Sequence, residues 1–145
     1  MLNMNNKSLK LCSACLLGLN CRYDGKIKAN EKILKLASKD VLIPFCPEQL
    51  GGLATPRMAA EQKGDKVVTM NGVDVTENFR QGAKQALKLA RIFGCSEAIL
   101  KQRSPSCGCG QIYDGTFSGT IIKGDGVTAD LLKKNGIKAK TEEDL

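Results

Sequence analysis

Seven cysteines and no histidine set the chemical vocabulary of this 145-residue chain. Without imidazole there is no Cys-His pair, no Ser-His-Asp triad and no mixed Cys/His zinc site, so metal chemistry must use sulfur and carboxylate. The thiols are Cys12 and Cys15 in "CSAC", Cys21 in "NCRYDG", Cys46 ending "VLIPFC", Cys95 after "RIFG", and Cys107 and Cys109 in "LKQRSPSCGCG". Each is a core residue, half of a disulfide, a nucleophile or a metal ligand. The odd count argues against a disulfide framework, and so does an N-terminus, "MLNMNNKSLK", with no apolar secretory stretch or small-residue cleavage site. The expected compartment is the cytoplasm.

The elements that carry the thiols narrow the choice. Strand signals occur at residues 9–14 (LKLCSA), 41–45 (VLIPF), 66–70 (KVVTM), 97–101 (EAILK), 119–123 (GTIIK) and 137–140 (IKAK). Helical periodicity lies between several of them. Residues 30–39 place Ile33, Leu34 and Ala37 on one face behind an Asn30 N-cap. Residues 74–94 carry a stripe of Phe79, Ala83, Ala86, Leu87, Ala90 and Phe93, with Asp74 and Glu77 at capping-box spacing and Gly94 as the stop. A third helix is expected over 128–135, ended by Gly136, and the acidic "TEEDL" either forms a short helix or frays. The alternation implies one α/β domain over residues 1–145, three-layered, with a mainly parallel, Rossmann-like sheet. From Cys46 to Gly64 a long non-helical insert is expected, and loops of that length are usually functional.

Ligands of open α/β sheets sit beyond the carboxyl ends of the strands. Three strands lead there into cysteine, so parallel pairing would bring Cys15, Cys46 and Cys107 to one edge. Cys12 and Cys95 read as core residues, and Cys21 has no assigned role. A thioredoxin-like use of Cys12 and Cys15 is disfavoured because that motif opens a helix, whereas here a turn-rich loop follows. A zinc site from Cys12, Cys15, Cys107 and Cys109 meets a second objection: strand positions three apart point to opposite faces. Three convergent thiolates suit an iron–sulfur cluster with one iron free of protein ligands, which can act as a Lewis acid.

Composition bounds the partners. With 42% apolar and 26% charged residues the chain can build an ordinary core. Its longest uncharged run, "LCSACLLGLNC", is 11 residues, too short to cross a bilayer. The net charge of +7 permits attraction to nucleic acid, but the 17 Lys and five Arg are dispersed and only four Phe and two Tyr are available for stacking. A solvated basic surface is the expected reading, with no membrane or nucleic-acid partner. The oligomeric state is left open.

Six blocks, "SACLLG" with "CRYDG", "PFCPEQLGGLATPR", "DVTENFRQGA", "AILKQRSPSCG", "IYDGTFSGT" and "GDGVTADLLKKNGI", together resemble the DUF523 family, which includes the thiouracil desulfidases, over residues 9–137. The resemblance implies a [4Fe-4S] cluster held by Cys15, Cys46 and Cys107, with Glu48 of the CPE block and Ser104 of the RSPSC block as catalytic residues. It also implies a small thiolated base as substrate, losing its sulfur as hydrogen sulfide without net redox change. A zinc- or cluster-stabilised nucleic-acid-binding module is the alternative. Cys109 departs from the family pattern and stands as a candidate fourth ligand or a bystander.

Overall fold

In the computed structural model, which describes residues 8–145, the elements run β1 (Leu9–Ser13), α1 (Glu31–Ala37), β2 (Val41–Phe45), α2 (Pro47–Leu50), β3 (Ala60–Lys63), β4 (Lys66–Thr69), α3 (Thr76–Phe93), β5 (Glu97–Leu100), β6 (Gln111–Tyr113), β7 (Ile121–Lys123), α4 (Val127–Lys134) and β8 (Lys138–Thr141). Four strands form one wholly parallel sheet in the order β2-β1-β5-β8, with Leu11 level with Ile43 on one side and Ala98 on the other. Side-chain alternation then sorts the core into two faces. Leu11, Ala98 and Leu100 pack with Ala86, Leu87 and Ala90 of α3 and with Ala129 and Leu132 of α4. On the opposite face Cys12 and Ile99 pack with Leu16 and with Ile33 of α1. The result is the expected three-layer α/β sandwich, in which each fully buried Leu or Ile contributes about 1.5–3 kcal/mol. Cys12 and Cys95 are core residues, as their surroundings in the sequence suggest.

Local signals explain most boundaries. The Asn30 side chain accepts the Ile33 N–H at 3.2 Å and starts α1. Gly94, at φ 66°, ends α3 in the left-handed conformation that favours glycine. The Asp74–Glu77 capping box does not form. Asp74 bridges to Val68 in extended backbone, its carboxylate accepts the Thr76 N–H at 2.9 Å, and the Thr76 hydroxyl accepts the Val67 N–H at 2.9 Å. The C-terminal segment folds as a 3-10 turn, Glu142–Asp144, capped by Thr141.

Two expectations are corrected. The segments at 66–70 and 119–123 do not join the main sheet; β4 pairs antiparallel with β3, and β7 pairs antiparallel with β6. The insert after Cys46 is also not free of helix. Pro47 occupies a first-turn position of α2, where its missing N–H costs nothing and its fixed φ suits a helix start.

The one-turn helix α2 is seated by backbone contact on α3. A Cβ built on Gly82 would lie 1.8 Å from the Pro47 carbonyl oxygen, and one on Gly51 would lie 2.0 Å from the Asn78 oxygen. A side chain at 82 therefore has to push α2 away. We expect Gly82→Ala to cost about 1–3 kcal/mol, the usual range for overpacking, lowering the thermal midpoint by on the order of 5 °C. Calorimetry measures the effect.

Candidate active site

In this strand order the chain leaves β1 toward β2 on one side and returns beside it as β5 on the other. The crevice beyond the carboxyl ends of β1 and β5 is a topological switch point, the usual ligand position of such sheets. A cavity of about 340 Å³ opens there, lined by Cys15, Cys21, Cys46 and Cys107 together with Glu48, Ser104, Ser106 and Arg57. The three cysteines selected by strand-end position thus share one cavity. A fourth thiol, Cys21, joins them.

Each is delivered differently. Cys15 lies in a 3-10 turn, Ala14–Leu17, that begins as β1 ends, and Gly18 closes the turn at φ 84°. Cys46 is the N-cap of α2. Cys107 sits in a loop built on the start of α4: the N–H groups of Gly126, Val127 and Thr128 donate to the carbonyls of Gly108, Pro105 and Ser106 at 2.7, 3.0 and 2.8 Å. Gly126 has to be glycine, since a Cβ there would lie 2.4 Å from the Ser106 carbonyl carbon. From the other side Gln62 of β3 donates to the Pro105 carbonyl at 3.0 Å and to the Asp125 carbonyl at 2.9 Å, tying the β3–β4 hairpin to the loop.

The thiols differ electrostatically. Contact with Cys21, aided by the Gln49 N–H at the start of α2, lowers the Cys46 thiol to about 6. Contact with Cys21 also lowers Cys15, while the same contacts push Cys21 itself upward. Burial pushes Cys107 up to about 12, although the Ser13 and Ser106 hydroxyls, 3.5 and 3.6 Å from its Sγ, oppose the shift.

Glu48 projects from α2 beside Cys46. Its Oε1 accepts from Arg57 Nε at 3.1 Å and its Oε2 from the Ser106 hydroxyl at 3.1 Å. Arg57 also donates to the carbonyls of Ala54 and Cys21 at 3.1 and 2.9 Å and to the Thr55 hydroxyl at 3.0 Å. One guanidinium therefore joins the carboxylate to the Cys21 loop. Lysine offers a point charge and no fork. Arg57→Lys should leave the protein folded but release the Glu48 carboxylate from one of its two anchors; a crystal structure of the variant checks this.

Ser104 is in the cavity wall, but the structure gives it a turn to hold. Its hydroxyl oxygen accepts the N–H groups of Ser106 and Cys107 at 3.2 and 3.1 Å and lies 2.9 Å from the Ser106 hydroxyl. The serine in contact with Glu48 is Ser106, not Ser104. Two serines two residues apart around Pro105 are indistinguishable by pattern, and only the turn decides which one faces the carboxylate. Arg103 pairs with Glu143 of the C-terminal turn, and Asp24 accepts from Arg22 at 2.9 and 3.1 Å, so neither contacts Glu48.

Cys109 turns away. Gln102 fixes its backbone, accepting its N–H at 2.9 Å and donating to its carbonyl at 3.0 Å, while its Sγ points to the Cys107 carbonyl at 3.7 Å. It packs against the α3/α4 core, and Cys12 lies in the core on the opposite face. The four-thiol zinc arrangement of Cys12, Cys15, Cys107 and Cys109 is therefore not assembled. Nor is Cys12 placed as a redox nucleophile: its thiol, pushed up to about 12 by burial, lies within β1 at 0% exposure.

The donor set fits an iron–sulfur cluster. It is all sulfur, which is the ligand type that selects such clusters. The cavity is roughly ten times the ~30 Å³ share of one water, which leaves room for a polynuclear group.

A parallel α/β sheet that gathers soft thiolates and one clamped carboxylate at its switch point defines a class: metalloproteins that bind a small molecule beside a sulfur-ligated centre. The sequence matches the family model described as 2-thiouracil desulfurase over residues 11–144, and the chain belongs to that family. Its relatives include the uncharacterized protein YbbK of Bacillus subtilis (strain 168), 47% identical over 145 residues, which span 93% of this chain and 96% of YbbK. Among solved structures, the [4Fe-4S]-dependent thiouracil desulfidase TudS matches with a TM-score of 0.87 at 45% identity, over 96% of this chain and 93% of that one. The family match runs past Ile137 into the C-terminal turn, where Glu142 accepts the Gln102 N–H at 2.6 Å and pairs with Lys101 at 2.9 Å. That turn buttresses the exit of β5.

Proposed function

We propose that this protein is a [4Fe-4S]-dependent desulfidase that converts a thiouracil-type base and water into the corresponding oxo base and hydrogen sulfide. Carbon exchanges sulfur for oxygen at the same oxidation level, so no external reductant or oxidant enters. Cys15, Cys46 and Cys107 hold the cluster. When bound, it supplies a Lewis-acidic iron for the thiocarbonyl sulfur. Glu48 takes one proton from the water as it attacks and the second from the resulting hydroxyl as the oxo base forms, returning each in turn to the departing sulfur. Arg57 and Ser106 keep its carboxylate in one orientation, each from 3.1 Å. Ser104 acts by holding the Cys107 turn in the wall of the cavity that receives the base.

The carrying observation is the junction of three thiols from three parallel strand ends with a clamped carboxylate in one cavity. Family membership and the likeness to TudS support the same reading. The partner is a small thiolated base, and nucleic acid is not required. No helix among the described residues is long and apolar enough to cross a membrane, and the reduced thiol set suits a cytoplasmic setting. Residues 1–145 act as one unit. Anaerobically reconstituted protein should be brown, hold about four irons and four sulfides per chain, and release sulfide from 2- or 4-thiouracil. Colourless protein with stoichiometric zinc and no sulfide release rejects the proposal.

A further inference from the structure

Ser13 ends β1, and the mechanism above does not use it. It is the N-cap of the 3-10 turn that carries Cys15, where a serine ordinarily accepts an N–H of the turn it starts, yet its side chain caps nothing. Its hydroxyl reaches across to β5 instead. The ladder between β1 and β5 ends with Cys12 opposite Ile99, and just beyond it the Ser13 Oγ accepts the Lys101 N–H at 3.0 Å. The same oxygen lies 3.5 Å from the Sγ of Cys107, 94 positions along the chain. Ser13 is only 3% exposed and lines the cavity. Among the described residues its hydroxyl has no other protein partner.

Those two contacts fix the direction of the hydroxyl. A backbone N–H can only donate, so toward Lys101 the Ser13 oxygen is the acceptor and its own hydrogen stays free. A cysteine holds metal as its thiolate, which has no hydrogen to give, so toward Cys107 the hydroxyl is the donor. Ser106 is the other hydroxyl near this sulfur, at 3.6 Å, but a Glu48 oxygen lies closer to it, at 3.1 Å, and it has one hydrogen to give. The donor left for Cys107 is Ser13.

We propose that Ser13 is a positioning residue of the metal centre: its O–H donates to the Cys107 sulfur, ties that ligand to the end of β1, and tunes the cluster's potential and its hold on iron. The inference rests on the cluster assignment of the preceding section. A donated hydrogen bond draws electron density from the sulfur and so favours the reduced cluster. Such bonds are among the factors that set cluster potentials, and outer-shell partners govern metal retention.

The test compares wild type with Ser13→Ala, Ser13→Thr and Glu142→Ala after identical anaerobic reconstitution. Iron and sulfide content, midpoint potential and the rate of iron loss to a chelator are read, besides activity. Ser13→Ala should assemble a full cluster, show a more negative potential, and lose iron roughly 10–100-fold faster, the range typical of outer-shell losses. Ser13→Thr, which keeps the hydroxyl, should recover most of the potential. Glu142→Ala frees the same strand exit from its other side-chain anchor, the carboxylate on the Gln102 N–H, and should not make the potential more negative. An alanine variant with wild-type potential and retention overturns the proposal. So does a negative shift matched by Glu142→Ala, since a loosened backbone at Lys101 would then account for it. Should Ser13→Ala fail to fold, the wild type decides: its Fe–S stretching bands should shift on exchange into D₂O, and bands that stay put overturn the proposal. Failure of the wild type to assemble a cluster is a separate result that overturns the functional reading instead.

Discussion

Glu48→Gln is expected to keep a complete cluster and lose turnover, with sulfide release falling about 10²–10⁴-fold, the usual contribution of a positioned base. At 1.36 kcal/mol per decade this corresponds to roughly 3–5 kcal/mol of transition-state stabilisation. The substitution is chosen to be quiet structurally. A glutamine oxygen can still accept from Arg57 Nε, and the Ser106 hydroxyl, which now donates to Oε2 from 3.1 Å, can rotate to accept from the new amide. What glutamine cannot do is take a proton from water. The informative measurement is therefore the ratio of rates at equal iron and sulfide content. Normal turnover by this variant removes Glu48 from the chemistry. Loss of the cluster along with the activity assigns the carboxylate to assembly instead.

Ser106→Ala should be milder than Glu48→Gln, because the carboxylate keeps its Arg57 contact and loses only one of two anchors. Ser104→Ala should act differently, loosening the turn that presents Cys107. Its oxygen is the acceptor for two backbone N–H groups, so iron retention, and not the rate at full loading, is where its effect should appear.

The meeting of Cys15, Cys46 and Cys107 in one cavity was legible in sequence because strand exits are legible. An apolar run followed by a turn residue marks the carboxyl end of a strand, and parallel pairing brings such ends together; Cys15, Cys46 and Cys107 all follow from that rule. Cys21 escaped because it lies in a loop, "NCRYDG", whose path over the cavity is set by Arg57, a residue 36 positions away. The strand β3 escaped for a related reason. Its "AEQK" carries no β-branched or aromatic residue, and its conformation comes from pairing with β4. Gly82 is the clearest signal passed over: a glycine inside an otherwise strong helical stripe costs helix stability and needs a packing reason. Here the reason is the Pro47 carbonyl.

The cysteines of the "SPSCGCG" segment should separate completely. Cys107→Ser is expected to fold, because a buried hydroxyl at that position retains Ser13 and Ser106 as hydrogen-bond partners, yet to lose most of its iron and all measurable sulfide release. Cys109→Ser is expected to match wild type in iron, sulfide and rate. The contrast follows from backbone geometry. Gly108 lets the chain pass where a Cβ would lie 2.4 Å from the Gln111 oxygen, and Gly110 then turns it at φ 82°, so that consecutive thiols diverge. Cys107 enters the cavity, while Cys109 is stapled by both arms of the Gln102 amide against the α3/α4 core. If Cys109→Ser strips the cluster while Cys107→Ser keeps it, the loop presents the other thiol and the ligand assignment is wrong. If only the double variant loses iron, Cys109 can replace Cys107, which would require the Gln102 staple to open.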